Sequence, residues 1–211
     1  MYDLGRTKYI EINGDSTKQT IITISNNKIC YVICSQYFSI TNIIFFNTIT
    51  FRKYPSHDCE ISYDTSEFHA NNCTFENESV LSIILIDVIH VSSCFFNNGR
   101  LLIENNEYLI KTYYITRNIF TTDINMKCIK SFSTLSFYST CNNLFYTNII
   151  DNIISNTKSC IRNRGVNFNL IIESNTFTNV DRLCHGEING LIRSKDNKCI
   201  DCGSDMILYD E

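Results

Sequence analysis

The chain is poor in the residues that break and bend structure. Its 211 residues include one proline and seven glycines. No Gly/Ser/Pro-rich stretch divides it, so it reads as one domain and not as modules on linkers. So few glycines also leave no Gly-rich loop to cradle a phosphate, and no nucleophile elbow appears. Positive charge is scarce and dispersed. Eighteen Lys and Arg stand against 22 Asp and Glu, for a net charge of −4. That argues against a nucleic-acid partner, which needs a clustered basic face. The densest basic pair, Arg162 and Arg164, reads as a solvated turn. Long apolar runs are missing too. The most apolar, residues 80–91 (VLSIILIDVIHV), is interrupted by Asp87 and His90. It is far short of the ~20 residues a spanning helix needs. It reads as buried strand, and no membrane-spanning segment is expected. Residues 1–10 lack the apolar centre of a signal peptide. The chain is therefore expected either to stay inside the cell or to be a truncated start of a surface protein.

What the chain does have is one phrase repeated along it: apolar-x-x-(Asn or Cys)-x-Phe-x-(Asn or Thr). Copies occupy residues 70–77 (ANNCTFEN), 91–98 (VSSCFFNN), 115–122 (ITRNIFTT), 140–147 (TCNNLFYT) and 172–179 (IESNTFTN). Looser copies lie at 41–48 (TNIIFFNT) and 194–201 (SKDNKCID), where Cys199 replaces Phe. The anchors Phe46, Phe75, Phe96, Phe120, Phe145, Phe177 and Cys199 are 29, 21, 24, 25, 32 and 22 residues apart. Self-similarity at such a period marks a repeat architecture. Residues two apart on a strand share a face. The anchor, the Asn or Cys two before it and the Asn or Thr two after it are thus expected to form one inward row. The apolar residue five before lies beyond a bend. A second alternating position, seven before (Phe68, Ile89, Tyr113, Tyr138, Leu170), argues for another short strand ahead of that bend.

Two or three short strands per unit, with no helical periodicity, predict an all-β chain. The expected architecture is a right-handed parallel β-helix, a solenoid of roughly eight coils. A leucine-rich or helical repeat would need a Leu consensus or helical spacing, and neither is present. At about 4.8 Å per coil the rod would be on the order of 40 Å long. Like residues then stack on like. The phenylalanines form an aromatic column; Asn118, Asn143, Asn175 and Asn197 form an amide ladder, with Cys73 and Cys94 in the same row. The domain is expected to span 1–211, with regular repeats over about 41–201 and irregular end coils or caps at 1–27 and 192–211.

The I-x-x-N-x-F-x-N phrase resembles the right-handed β-helix repeat of the pectin-lyase-like superfamily. It looks most like non-enzymatic β-helix surface proteins of parasitic protists. The resemblance implies a scaffold without catalysis. An enzymatic relative would be a polysaccharide lyase or hydrolase, with carboxylates holding Ca²⁺ and a basic residue, or paired acids, on one outer face. Here Asp64, Glu67, Asp87, Asp123, Asp151 and Glu173 look scattered. The Gly-His-Gly and Arg-Ile-Lys signatures are absent, and His57-Asp58 reverses the Asp-His of pectate lyases. His57, His69, His90 and His185 stand in unrelated contexts.

Eleven cysteines are a high, odd count. They imply several bridges in an oxidising compartment and buried thiols in the cytosol. Cys184-His185 with Cys199-x-x-Cys202 could be a zinc site, a bridged cap or free thiols. Sequons occur at Asn72 and Asn77, the latter expected to face inward. No catalytic, cofactor-binding or metal-ligating residue is assigned, and no cofactor is expected. The expected function is a non-catalytic repeat protein in a structural or adhesive, surface-interaction role. The alternative is a degenerate carbohydrate-active or glycan-binding β-helix. The partners in view are glycans, on which Tyr113, Tyr114 and Tyr146 could stack, or cell-surface proteins.

Overall fold

The computed structural model describes residues 9–22, 30–32, 36–53, 65–105, 110–123 and 133–206. Among them there is no helix, and every named strand pairs in parallel with its neighbours. The chain winds as a parallel β-solenoid. The first coil holds β1 (Tyr9–Asn13), β2 (Thr20–Ile22) and β3 (Cys30–Val32). The second holds β4 (Tyr37–Thr41), β5 (Ile43–Phe45) and β6 (Ile49–Lys53); the third, β7 (Glu67–Asn71), β8 (Thr74–Phe75) and β9 (Val80–Ile84). The fourth holds β10 (Val88–Ser92), β11 (Phe95–Asn97) and β12 (Arg100–Glu104), and the fifth opens with β13 (Lys111–Thr116) and β14 (Ile119–Thr121). Then β15 (Ser133–Ile150) closes the fifth coil and starts the sixth without a break. After β16 (Ile153–Ser155), β17 (Ser159–Glu173) does the same for the sixth and seventh. The chain ends through β18 (Thr176–Thr178), β19 (Arg182–His185), β20 (Asn189–Lys195) and β21 (Lys198–Ile200).

Three faces result. The first runs β1-β4-β7-β10-β13, continues through the second halves of β15 and β17, and ends on β20. The second is the eight-stranded sheet β2-β5-β8-β11-β14-β16-β18-β21. The third runs β3-β6-β9-β12, then the first halves of β15 and β17, then β19. The expected roughly eight coils become about six turns closed around the core. Among the described residues the first and last rungs are the least covered: β1, β20 and β21 are mostly exposed, and β2 is half-buried.

The anchor column is Phe45, Phe75, Phe96, Phe120, Ile154, Phe177 and Cys199. Successive rings stack with centroids 5.2, 4.6 and 4.5 Å apart from Phe45 to Phe120. Two expected anchors are displaced. Phe45, not Phe46, points inward. Phe145 lies on β15, in register with Lys111 and Phe168, and Ile154 takes the anchor place.

The turn from the first face to the second is built by the row two residues before the anchor. Asn118 Oδ1 accepts from Cys94 N at 2.9 Å, Asn152 Oδ1 from Asn118 N at 2.9 Å, Asn175 Oδ1 from Asn152 N at 2.8 Å and Asn197 Oδ1 from Asn175 N at 3.0 Å. Each amide Nδ2 also donates to a carbonyl of the preceding coil: Val91, Ile115, Ile149 and Ile172 in turn. Cys73 and Cys94 make the matching, longer contacts to the Ile40 and Ala70 carbonyls, both at 3.6 Å. Amide groups that a bend would orphan are thereby paired. Asn152, not Asn143, holds the sixth-coil place. The expected inward row is also shorter at its far end. Asn77, Asn98, Asn156 and Asn179, two after the anchor, adopt positive φ (55, 55, 56 and 54°) and form the second bend. Asn77 is exposed, not inward. Residues 80–91 are two strands meeting at a corner, where Leu85 has φ 62°.

Candidate binding face

On the first face, side chains alternate between core and solvent, and parallel register aligns the outward ones from coil to coil. One outward column runs Tyr9, Tyr37, Glu67, Val88, Thr112, Tyr146, Asn169, Leu191. The neighbouring column runs Glu11, Ser39, His69, His90, Tyr114, Asn148, Ile171, Arg193. Rings from the two columns make a continuous strip. Tyr9 stacks on Tyr37 at 4.4 Å, Tyr37 tilts over His69 at 4.8 Å, His69 stacks on His90 at 4.4 Å and His90 on Tyr114 at 4.6 Å.

Beyond Tyr114 the strip gives way to an open depression of about 180 Å³. Tyr146, Asn148, Asn169, Ile171, Leu191 and Arg193 line it. An exposed ring, two amides, apolar floor and one guanidinium are the kinds of group that hold a polar, partly apolar ligand by stacking and hydrogen bonds. Of the three tyrosines singled out in the sequence, Tyr114 and Tyr146 lie on this face and are exposed, whereas Tyr113 is fully buried.

His69 and His90 are not unrelated, as sequence context suggested. They are register partners, and Glu67 lies two residues before His69 on the same side of β7. Glu67 Oε2 is 3.5 Å from His69 Nε2. Burial lowers the pKa of His90, and the neighbouring His69 adds to this against the opposing pull of Glu67.

Charged groups converge at one other place. Asp87, at the corner before β10, pairs with Lys111, whose side chain points into the solenoid and is fully buried. Lys53 Nζ lies 3.7 Å from Asp87 Oδ2, and Ser66 donates to the same oxygen from N at 2.9 Å and from Oγ at 2.8 Å. Burial pushes the Asp87 pKa up; the Lys111 and Ser66 hydrogen bonds and the Lys111 charge more than offset it, and the net direction is down. This is a sealed internal ion pair, not a cleft that admits substrate.

The remaining sequence candidates disperse. Asp64, His57 and Asp58 lie outside the described residues. Asp123 is exposed and bonded to Asn98, and Asp151 is exposed in a bend. Arg162 lies on β17, and the exposed Arg164 stands beside Gly165 (φ 76°), at the corner where β17 passes from the third face to the first. Burial lowers the Arg162 pKa, helped by the charges of Arg164 and Arg100. Cys184 lies on the third face and Cys199 on the second, so the proposed Cys/His set does not assemble as one tetrahedral site. Burial pushes the Cys184 thiol up to about 11; Cys199, though exposed, is raised to about 11 by partial desolvation and by the neighbouring Cys202 thiol. Among the described residues, Cys73, Cys94, Cys160, Cys184, Cys199 and Cys202 are free thiols. Among them, too, no helix is long and apolar enough to cross a membrane.

The signal for this face was present in the repeat. His69, His90, Tyr114, Asn148, Ile171 and Arg193 each stand six residues before an anchor. No family model, no curated protein and no solved structure matches this chain.

Proposed function

We propose that this chain is a non-catalytic β-solenoid that binds an extended glycan along the outer side of its first face, in an adhesive or surface-interaction role. The observation that carries the reading is the aligned strip of rings leading into the depression lined by Tyr146, Asn148, Asn169 and Arg193. A solenoid repeats its side chains at a fixed spacing, which suits a ligand that also repeats. Among the described residues, the carboxylates are spread around the coil, sealed as Asp87–Lys111 or set beside His69 as Glu67, and no pair of acids lines the depression. The likeness of the repeat phrase to non-enzymatic members of the pectin-lyase-like superfamily belongs to this proposal, as does a place at a cell surface or in secretion.

Screening the purified chain against immobilised oligosaccharides tests the binding claim. Tyr146→Ala and Arg193→Ala should each weaken any captured glycan, the ring loss by about threefold to tenfold for one aromatic contact. An unchanged profile in both folded variants would place binding elsewhere. Thiol counting on native protein tests location: bridged cysteines support a surface role, and eleven free thiols oppose it.

A further inference from the structure

The geometry points to a divalent transition-metal site on the outer side of the first face, formed by Glu67, His69 and His90, with zinc the ion its ligands suit. Two features of the coil make it. Glu67 and His69, two apart on β7, project to the same side, and parallel register places His90 of β10 beside His69. One nitrogen from each histidine and one carboxylate oxygen all lie within 4.8 Å of one another. Two imidazoles and one carboxylate form a ligand set that zinc and similar borderline ions accept, with further positions left to water or an incoming oxygen.

The bland alternative is that the two histidines merely continue a ladder of tyrosines. Glu67 and the state of His69 Nε2 argue against it. That nitrogen is buried from solvent and makes no hydrogen bond, although Glu67 Oε2 is 3.5 Å away. A polar atom so placed costs free energy until a partner arrives. A cation between the three groups would accept that nitrogen's lone pair.

Ligation needs some movement. Bonds of about 2.0–2.1 Å to a tetrahedral ion bring donors closer than they stand now. The His69 and His90 rings are stacked within 11°, so they must fan about their Cβ–Cγ bonds to converge. Tyr37 and Tyr114 flank the pair and would limit that fan to a tilt. The site is independent of the glycan proposal and survives its failure.

Titration of the whole chain with Co²⁺, followed by displacement with Zn²⁺, tests it. The expected result is saturation at one equivalent, with visible d–d bands and no near-ultraviolet thiolate charge-transfer band. His69→Gln and His90→Gln should each weaken binding by at least about tenfold to a hundredfold, the loss that even an outer-shell partner's removal causes. Glu67→Gln should weaken it as well. Failure of the folded wild-type chain to bind either ion overturns the inference without recourse to variants. So does a thiolate band, or unchanged affinity in a folded double histidine variant, because both place the metal elsewhere.

Discussion

Two buried polar arrangements decide how single residues matter here. Lys111 is sealed in the interior with Asp87. Asp87→Asn strands a buried ammonium without its carboxylate, and should cost about 3–5 kcal/mol in urea unfolding. Removing both charges, as Asp87→Asn with Lys111→Met, should recover much of that loss, because the desolvation cost disappears with the pair. The pH dependence has a definite sign. The folded pKa of Asp87 is held down, so its contribution is complete above the unfolded carboxylate value of about 3.9 and is lost as pH falls through the lower folded value. The wild-type unfolding midpoint should drop across that acid window, and Asp87→Asn should flatten the drop. Asn152 is the second case. Its Oδ1 accepts from Asn118 N and Nδ2 at 2.9 and 3.1 Å, and its Nδ2 donates to the Ile115 and Ile150 carbonyls at 2.8 and 3.0 Å. Asn152→Ala should cost about 3 kcal/mol, since several buried groups lose partners together. Asn197→Ala, on the half-exposed last rung, should cost about 1 kcal/mol in the same denaturation series. Equal losses at the two positions would mean that the ladder carries no more weight in the middle than at its end.

At the scale of strands and bends, the coil is shaped by one left-handed residue before each ladder position. Asn42, Asn72, Ser93, Arg117, Asp151, Ser174 and Asp196 hold this place with φ of 51–58° among them (58, 51, 54, 56, 57, 54 and 54°). The conformation costs most L residues about 1–2 kcal/mol, and Asn and Asp less. Arg117→Gly should therefore stabilise the chain by up to about 1 kcal/mol, the relief being partly offset by glycine's own entropy. Asp196→Gly should change stability by only about a few tenths. A shared gain would show that side-chain type at the bend is immaterial. The same bends explain what could be read from sequence and what could not. Period-two alternation within each phrase correctly separated the core residues at minus five and minus seven, such as Val91 and Ile89, from their neighbours. It failed where two phrases competed. Phe145 matched the expected spacing, yet thirty-four residues separate Phe120 from the true next anchor, Ile154. An aliphatic residue in that column gives no aromatic signal, and β15 runs through its corner as one strand, so the phrase loses its punctuation. Asn two after the anchor was misplaced for a related reason. It follows the inward alternation in number but sits in a left-handed bend, where parity no longer fixes direction.

For the whole molecule, the binding face shows why a fold can be legible while its surface is not. The histidines looked isolated because surface chemistry lies across coils, between residues about twenty to thirty positions apart, while a motif search reads along the chain. Only counting back six from each anchor brings His69 and His90 together. Stability should be distributed by the same geometry. Each coil touches chiefly its two neighbours, so an interior rung is held from both sides and an end rung from one. Rungs such as β10 and β13 present buried alternate side chains, whereas β1 and β21 are almost wholly exposed. Amide hydrogen exchange should follow this gradient. Protection should be greatest in β10, β11 and β13, and should fall toward β1, β2, β20 and β21 by local fraying rather than global unfolding. Phe96→Ala, in the middle of the ring column, should cost about 3–5 kcal/mol and lower protection in the central rungs while leaving the end rungs, which already open on their own, almost unchanged. Uniform protection across all rungs would show that the open ends are covered in solution and that the solenoid unfolds as one unit.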